Sequence, residues 1–421
     1  MLMPLKNKKM FAYPILVISL AACFLFYKYV LQIFPSIITA PLMKQFHLTG
    51  AGLGSLAATF YYSYMVTQLL VGILLDKYST QRLTSMAIFC CALGVILFSR
   101  AETLFVASVS RALMGVGVAF ATISYMKLAA NWFAAKHYAL VSGLLATAAM
   151  AGAVFGQAPL AWLVEHWGWR QCLSGVGIIG LALACLFFLI VRDAPGTSRK
   201  QDKVASISIK DLIAVLKNKQ NWLLTLYSGF AFSPVAVFGG LWGNPFLEQA
   251  YQLSKTQAAS LTSLVFVGLG LGSPILGALS DRLGNRRYVM LISTLGSTVA
   301  LSLLLYCNTW SIQILSLLLF FFGFGLGAFM LVFAMGKEMN PLALTATVIA
   351  MFNTSDAIFD ALTEPLIGKV LDVQWDGRMV DGIQQFSLPS YHLALSLLPI
   401  YLLIGTILLY WVKEPKQHSF H

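Results

Sequence analysis

Apolar residues run through this 421-residue chain in long blocks separated by short polar punctuation. Blocks long enough to span a bilayer, about 20 residues each, fall near 11–38, 50–75, 83–99, 103–128, 138–164, 171–191, 221–247, 256–280, 287–307, 310–335, 341–370 and 392–412. The pattern predicts an all-α membrane protein of twelve transmembrane helices. The longest polar interruption, 192–220, holds Asp193, Arg199, Lys200, Asp202, Lys203, Lys210, Lys217 and Lys219 and begins with Pro195-Gly196. It reads as a cytoplasmic linker, with a short amphipathic helix near 208–218, between two six-helix bundles at 1–191 and 221–421.

Two polar loops carry the same pattern. Gly72, Asp76 and Arg82 stand at the second punctuation point, and Gly277, Asp281 and Arg287 stand 205 residues later. A matched pair between apolar spans predicts a duplicated architecture. The glycines are expected to permit close helix approach. Each Asp, at a helix end, is expected to pair with bases across its loop, a latch that breaks when the halves rock.

Composition agrees with lipid as the solvent: 58% of residues are hydrophobic and 10% charged, with mean hydropathy +0.78, against roughly 25% charged in soluble domains. The net charge of +12 is explained by topology. With both termini cytoplasmic, twenty of the 28 Lys and Arg fall in inner segments and six in outer loops. The bases therefore argue little for a nucleic-acid partner. Lys28 and Arg111 remain within the membrane. The six Cys lie in or beside apolar runs and read as core residues, and the basic N-terminus reads as a tail rather than a removable signal.

Twelve spans with paired loops resemble the major facilitator superfamily. Arg111 ahead of Gly115 and Gly117 resembles its fourth-helix signature. Gly143, Gly152, Gly156 and Pro159 resemble its fifth-helix signature, and Trp167-Gly168-Trp169-Arg170 its entry to the sixth helix. Ser79 and Gln81 depart from the loop pattern, where a Gly and a base are usual. Tyr29 to Pro35, with Phe60-Tyr61-Tyr62-Ser63-Tyr64 and Gln68, is similar to the organic anion:cation symporter branch. The resemblance implies that the first, fourth, seventh and tenth helices line a central cavity, with Lys28 and Arg111 facing it.

An ionisable group under lipid depth is costly and functional by default. Lys28 and Arg111 make a site for an anion: Arg grips a carboxylate through two parallel bonds, Lys offers a point charge. Their alternatives are snorkelling for Lys28 and a structural helix tie for Arg111. Asn353, Asp356 and Asp360 recur at helical spacing on the eleventh span, with Glu364 near its end expected as a solvated rim residue. Two carboxylates a turn apart in a low dielectric resist ionising together, as a proton carrier requires; the alternative is a static salt bridge from Asp356 or Asp360 to Lys28 or Arg111. Tyr29, Tyr61, Tyr64, Gln68, Gln157 and Trp242 are further substrate-binding candidates, as is Asn244, where Asn244-Pro245 is expected to break the seventh helix and offer backbone polar groups.

No Walker-type phosphate loop, metal spacing or catalytic triad is present in the sequence. The expected protein is no enzyme and needs no cofactor or metal. It is a monomeric, multi-pass secondary transporter of a bacterial inner membrane. It takes up a small organic acid, sugar acid or amino acid with protons. Efflux of a drug or carboxylate siderophore, and a non-transporting sensor, are the alternatives.

Overall fold

The computed structural model describes residues 8–133, 135–193, 214–307, 309–341 and 344–414. The part of the linker at 194–213 lies outside the described residues. The chain is a multi-pass membrane protein: among the described residues, ten helical segments are long and apolar enough to cross a bilayer.

Its helices are α1 (Lys8–Ile33), α2 (Thr39–Phe46), α3 (Gly50–Lys77), α4 (Thr80–Ser99), α5 (Leu104–Trp132), α6 (Ala135–Phe155), α7 (Ala158–Trp167) and α8 (Trp169–Ile190). After the linker come α9 (Lys219–Val237), α10 (Gly243–Tyr251), α11 (Lys255–Leu283), α12 (Arg286–Tyr306), α13 (Ile312–Leu326), α14 (Leu331–Glu338), α15 (Thr345–Val373), α16 (Leu388–Leu395) and α17 (Leu397–Leu409). Between α15 and α16, Met379–Val380 pairs with Ile383–Gln384 in a hairpin. Its turn residues Asp381 and Gly382 both take positive φ, the backbone that an Asp-Gly pair allows in a two-residue turn.

Helices before the linker pack among themselves, α5 against α1, α3 and α4. Helices after it do likewise, α9 against α15 and α17, and α13 against α11 and α12. The two groups meet through α3 on α15, through α11 on α6 and α7, and where the 3-10 turn Phe34–Ile37 meets the π-turn Phe238–Trp242. The α3–α15 contact requires bare backbone. A Cβ on Gly54 would lie 2.4 Å from the Glu364 carbonyl oxygen, and one on Gly368 2.1 Å from that of Gly50. These approaches lie at the end where α3 and α11 begin.

The other end corrects one expectation. Gly72 and Gly277 make no close approach: a Cβ on either would meet open space among the described residues. The close backbone approaches between the groups lie at the far end, at Gly50, Gly54 and Gly368. The second loop carries the expected ion pair, with Arg286 rather than Arg287: Arg286 meets Asp281 at 3.1 Å and Glu338 at 2.7 Å. Arg287 instead donates to the Tyr410 carbonyl at 3.0 Å. In the first loop Gln81 stands where Arg286 stands in the second, and its side chain donates to the Phe188 carbonyl. Arg82 is exposed, and the Asp76 side chain lies outside the described residues.

The seventh span corrects another expectation. Asn244-Pro245 does not break it: helix continues through the π-turn into α10. Pro245 lacks the N–H that would bond one turn back, and the widened turn before it absorbs the misfit. The break lies instead in the fifth span, between α6 and α7 at Gly156-Gln157.

Candidate functional site

Lys28 sits on α1 and is 7% exposed. Its Nζ lies 5.1 Å from the Tyr29 ring centre and 5.0 Å from that of Tyr64 on α3. Two aromatic faces stabilise an ammonium that has left water. Neither Lys28 nor Arg111 forms an ion pair among the described residues, so neither is the static counter-ion of Asp356 or Asp360. Tyr29 and Tyr64 are half-buried, as is Asn353 on α15.

The helical spacing of Asp356, Asp360 and Glu364 puts three carboxylates on one side of α15, and all are buried. The Ser228 hydroxyl on α9 donates to Asp356 Oδ1 at 2.6 Å. Asp360 Oδ1 and Glu364 Oε2 find no hydrogen-bond partner among the described residues. Tyr29 and Tyr64, whose rings flank Lys28, lie within electrostatic reach of both Asp356 and Asp360, so the lysine cage and the acid pair occupy one region. Glu364 is not the solvated rim residue expected. It is 2% exposed, because α15 runs on to Val373 and α3 lies over it at Gly54.

Arg111 is 1% exposed. Its guanidinium donates to the carbonyls of Leu31 at 2.8 Å and Ala57 at 3.3 Å. It lies 5.2 Å from the Phe34 ring centre and 4.7 Å from that of Phe60. Arg111 therefore ties α5 to α1 and α3. One donor, Nε, is unpartnered among the described residues, and Glu364 lies within electrostatic reach.

Beyond this level the groups close on each other. Gln157 donates to Ser36 Oγ at 3.2 Å and to the Gly239 carbonyl. Asn244 donates to Gln157 Oε1 at 2.8 Å. Trp242 Nε1 donates to the Glu364 carbonyl at 3.1 Å, and Gln32 to the Tyr61 hydroxyl at 3.4 Å. Gln157, Trp242 and Asn244 are at most 1% exposed; Gln157 and Asn244 seal one group to the other, while Trp242 is bonded within the second. Gln68 is buried one turn past Tyr64 on α3, toward the loop end, its Oε1 unpartnered among the described residues.

The structure thus brings Lys28, Tyr29, Tyr64, Asp356 and Asp360 to one level, and Arg111, Tyr61 and Glu364 to the next. Gln157, Trp242 and Asn244 stand at the seal. Sequence reasoning missed Ser36 and Ser228, single hydroxyls that nothing sets apart from other serines in apolar helices. The small residues Gly50, Gly54 and Gly368 could have signalled the α3–α15 approach. Among the described residues no three metal-ligating side chains converge.

The family model described as Major Facilitator Superfamily matches residues 17–246 and 224–421. The chain is 22% identical over 368 residues to the probable galactarate/D-glucarate transporter GarP of Escherichia coli K12, covering 79% of this chain and 82% of that protein. It is 25% identical over 268 residues to the membrane sensor protein UhpC of Salmonella typhimurium, covering 59% and 60%. The fold superposes on a crystal structure of a bacterial homologue of the human lysosomal transporter Spinster, inward-facing and occupied, with TM-score 0.79, 14% identity and coverage of 96% and 97%.

Proposed function

Because the chain belongs to the Major Facilitator Superfamily, a family of membrane transporters, we propose that it is a proton-coupled, alternating-access importer of a small carboxylate-bearing metabolite. Its twelve helices form two six-helix bundles, 1–191 and 221–421, joined by the 192–220 linker. One observation carries the reading: two buried carboxylates, one with an oxygen that finds no hydrogen-bond partner among the described residues, share a region with a buried lysine that aromatic rings flank and, among the described residues, no acid pairs. An unpaired buried carboxyl is costly as an anion and available to a proton. The uncommitted ammonium is available to a carboxylate.

The asymmetry of Lys and Arg puts both termini and the two gating loops on the cytoplasmic side of a bacterial inner membrane. The seal at Gln157 and Asn244 then faces outward, and this state opens inward. Similarity to GarP supports sugar acids as the substrate class, with amino acids next. The protein acts as a monomer, without cofactor, metal or nucleic acid.

The test is uptake of galactarate or glucarate into proteoliposomes under an imposed pH gradient, inside alkaline. Uptake rising with the gradient is expected; uptake indifferent to it removes the coupling. Similarity to UhpC favours a second reading, a sensor that binds without transporting. Binding without counterflow exchange would select it.

A further inference from the structure

Four helix starts are each capped by an acid from another helix or its end. On the loop side, the N–H groups of Arg286 and Arg287 donate to the Glu414 carboxylate at 2.8 and 2.9 Å. The N–H of Gln81 donates to Asp193 at 3.2 Å. On the sealed side, the N–H groups of Gly50 and Ala51 donate to the Asp372 carboxylate at 2.6 and 2.8 Å. The N–H of Thr256 donates to Glu165 at 3.1 Å. Gln81 and Arg286 are offset by the 205 residues that separate the two loops, and so are Ala51 and Thr256. The caps are therefore two pairs related by the internal repeat.

The pairs differ in what they join. Asp193 follows α8 and caps α4, within the first group; Glu414 follows α17 and caps α12, within the second. Asp372 ends α15 and caps α3, and Glu165 ends α7 and caps α11, so both cross between groups. In each case a carboxylate meets the positive end of a helix and satisfies N–H groups that have no partner inside it.

All four helices also carry a local cap, so loss of an acid strands only their first N–H groups: on the loop side Ser79 Oγ accepts the N–H of Arg82 at 3.3 Å and Asn285 Oδ1 that of Tyr288 at 2.8 Å. On the sealed side Thr49 Oγ1 accepts the N–H of Gly52 at 3.2 Å, and Ser254 Oγ that of Gln257 at 3.3 Å. This second pair, again 205 apart, travels with its own helices. When the acid withdraws, the third N–H keeps its hydroxyl and the first ones turn to water.

We propose that Asp372 and Glu165 are repeat-related latches that hold the sealed end shut and let go when the halves rock, while Asp193 and Glu414 stay engaged in every state. The proposal rests on the alternating-access reading above. Each latch shifts the ratio of open to sealed molecules about fivefold, the usual worth of a helix cap.

The test measures distances between spin labels in the full chain, with native cysteines replaced. One pair, at Lys44 and Thr309, spans the sealed end; another, at Lys77 and Lys337, spans the loop end. Asp372→Ala with Glu165→Ala is expected to lengthen the first distance and shorten the second, raising the open fraction about 25-fold. Asp193→Ala with Glu414→Ala is expected to lower the melting temperature and leave both distributions in place. Gly54→Trp, a wedge between α3 and α15, reports whether the halves can move at all. A wedge that moves the labels while the latch variants do not overturns the latches and spares the rocking. Equal movement in the Asp193 and Glu414 variant also overturns them. Silence from every variant removes the rocking reading too.

Discussion

The bases on α1 and α5 and the acids on α15 all lie buried, yet they are held in opposite ways. Arg111 is committed: two carbonyls accept from it and two phenyl rings flank it. The acids are not. Ser228 donates to one of the three carboxylates, and the other two each carry an oxygen without a partner among the described residues. Lys28 stands between, with rings for company and no acid. A charge under lipid depth is architecture when the protein has already answered it. It is free for exchange when the protein has not.

Arg111→Ala tests the committed side and is expected to have the largest effect. It removes about 3–5 kcal/mol of stability, because two buried carbonyls lose a charged donor and two rings lose their filler. Thermal unfolding in detergent reads the loss; an unchanged melting temperature would make Arg111 a substrate residue instead. Asp360→Asn tests the free side. It is expected to cut gradient-driven uptake about a hundredfold and leave the melting temperature unchanged or higher, since a buried carboxyl with an unsatisfied oxygen is replaced by a neutral amide. Substrate counterflow at symmetric pH should survive in the same protein.

Lys28→Ala is expected to raise KM for a carboxylate substrate about tenfold, one ionic contact's worth, with no more than a small change in stability. Equal loss for neutral and anionic compounds would instead make the lysine a packing residue. Ser228→Ala is the mildest, slowing proton-driven uptake about fivefold through loss of one hydrogen bond to a charged group. A drop in folded yield without a change in turnover per folded molecule would assign Ser228 to packing alone.

The apolar blocks were legible because lipid imposes length and composition directly. Lys28, Arg111, Asp356 and Asp360 were legible for the same reason: a charge inside such a block announces itself. Commitment was not legible. The carbonyls that hold Arg111 belong to Leu31 and Ala57, and backbone groups have no signature in a sequence. Ser228 reaches Asp356 across 128 residues of chain, and Asp372 reaches Gly50 across 322. Glu364 was misplaced because its burial depends on α3, not on its own neighbours. Gln81 was noticed as a departure, but its consequence needed both loops in view: the second closes an ion-pair network on Arg286, while the first gives its Gln81 only a backbone carbonyl and a helix cap.

The empty space beside Gly72 and Gly277 changes how variants at those positions would score in a screen. A library sorted for folded protein should pass Gly72→Leu and Gly277→Leu, since neither side chain would strike anything. A library sorted for turnover should reject both, because the added bulk obstructs only the conformer in which the loop ends come together. Deleterious alleles there would look harmless to any assay that weighs one resting state.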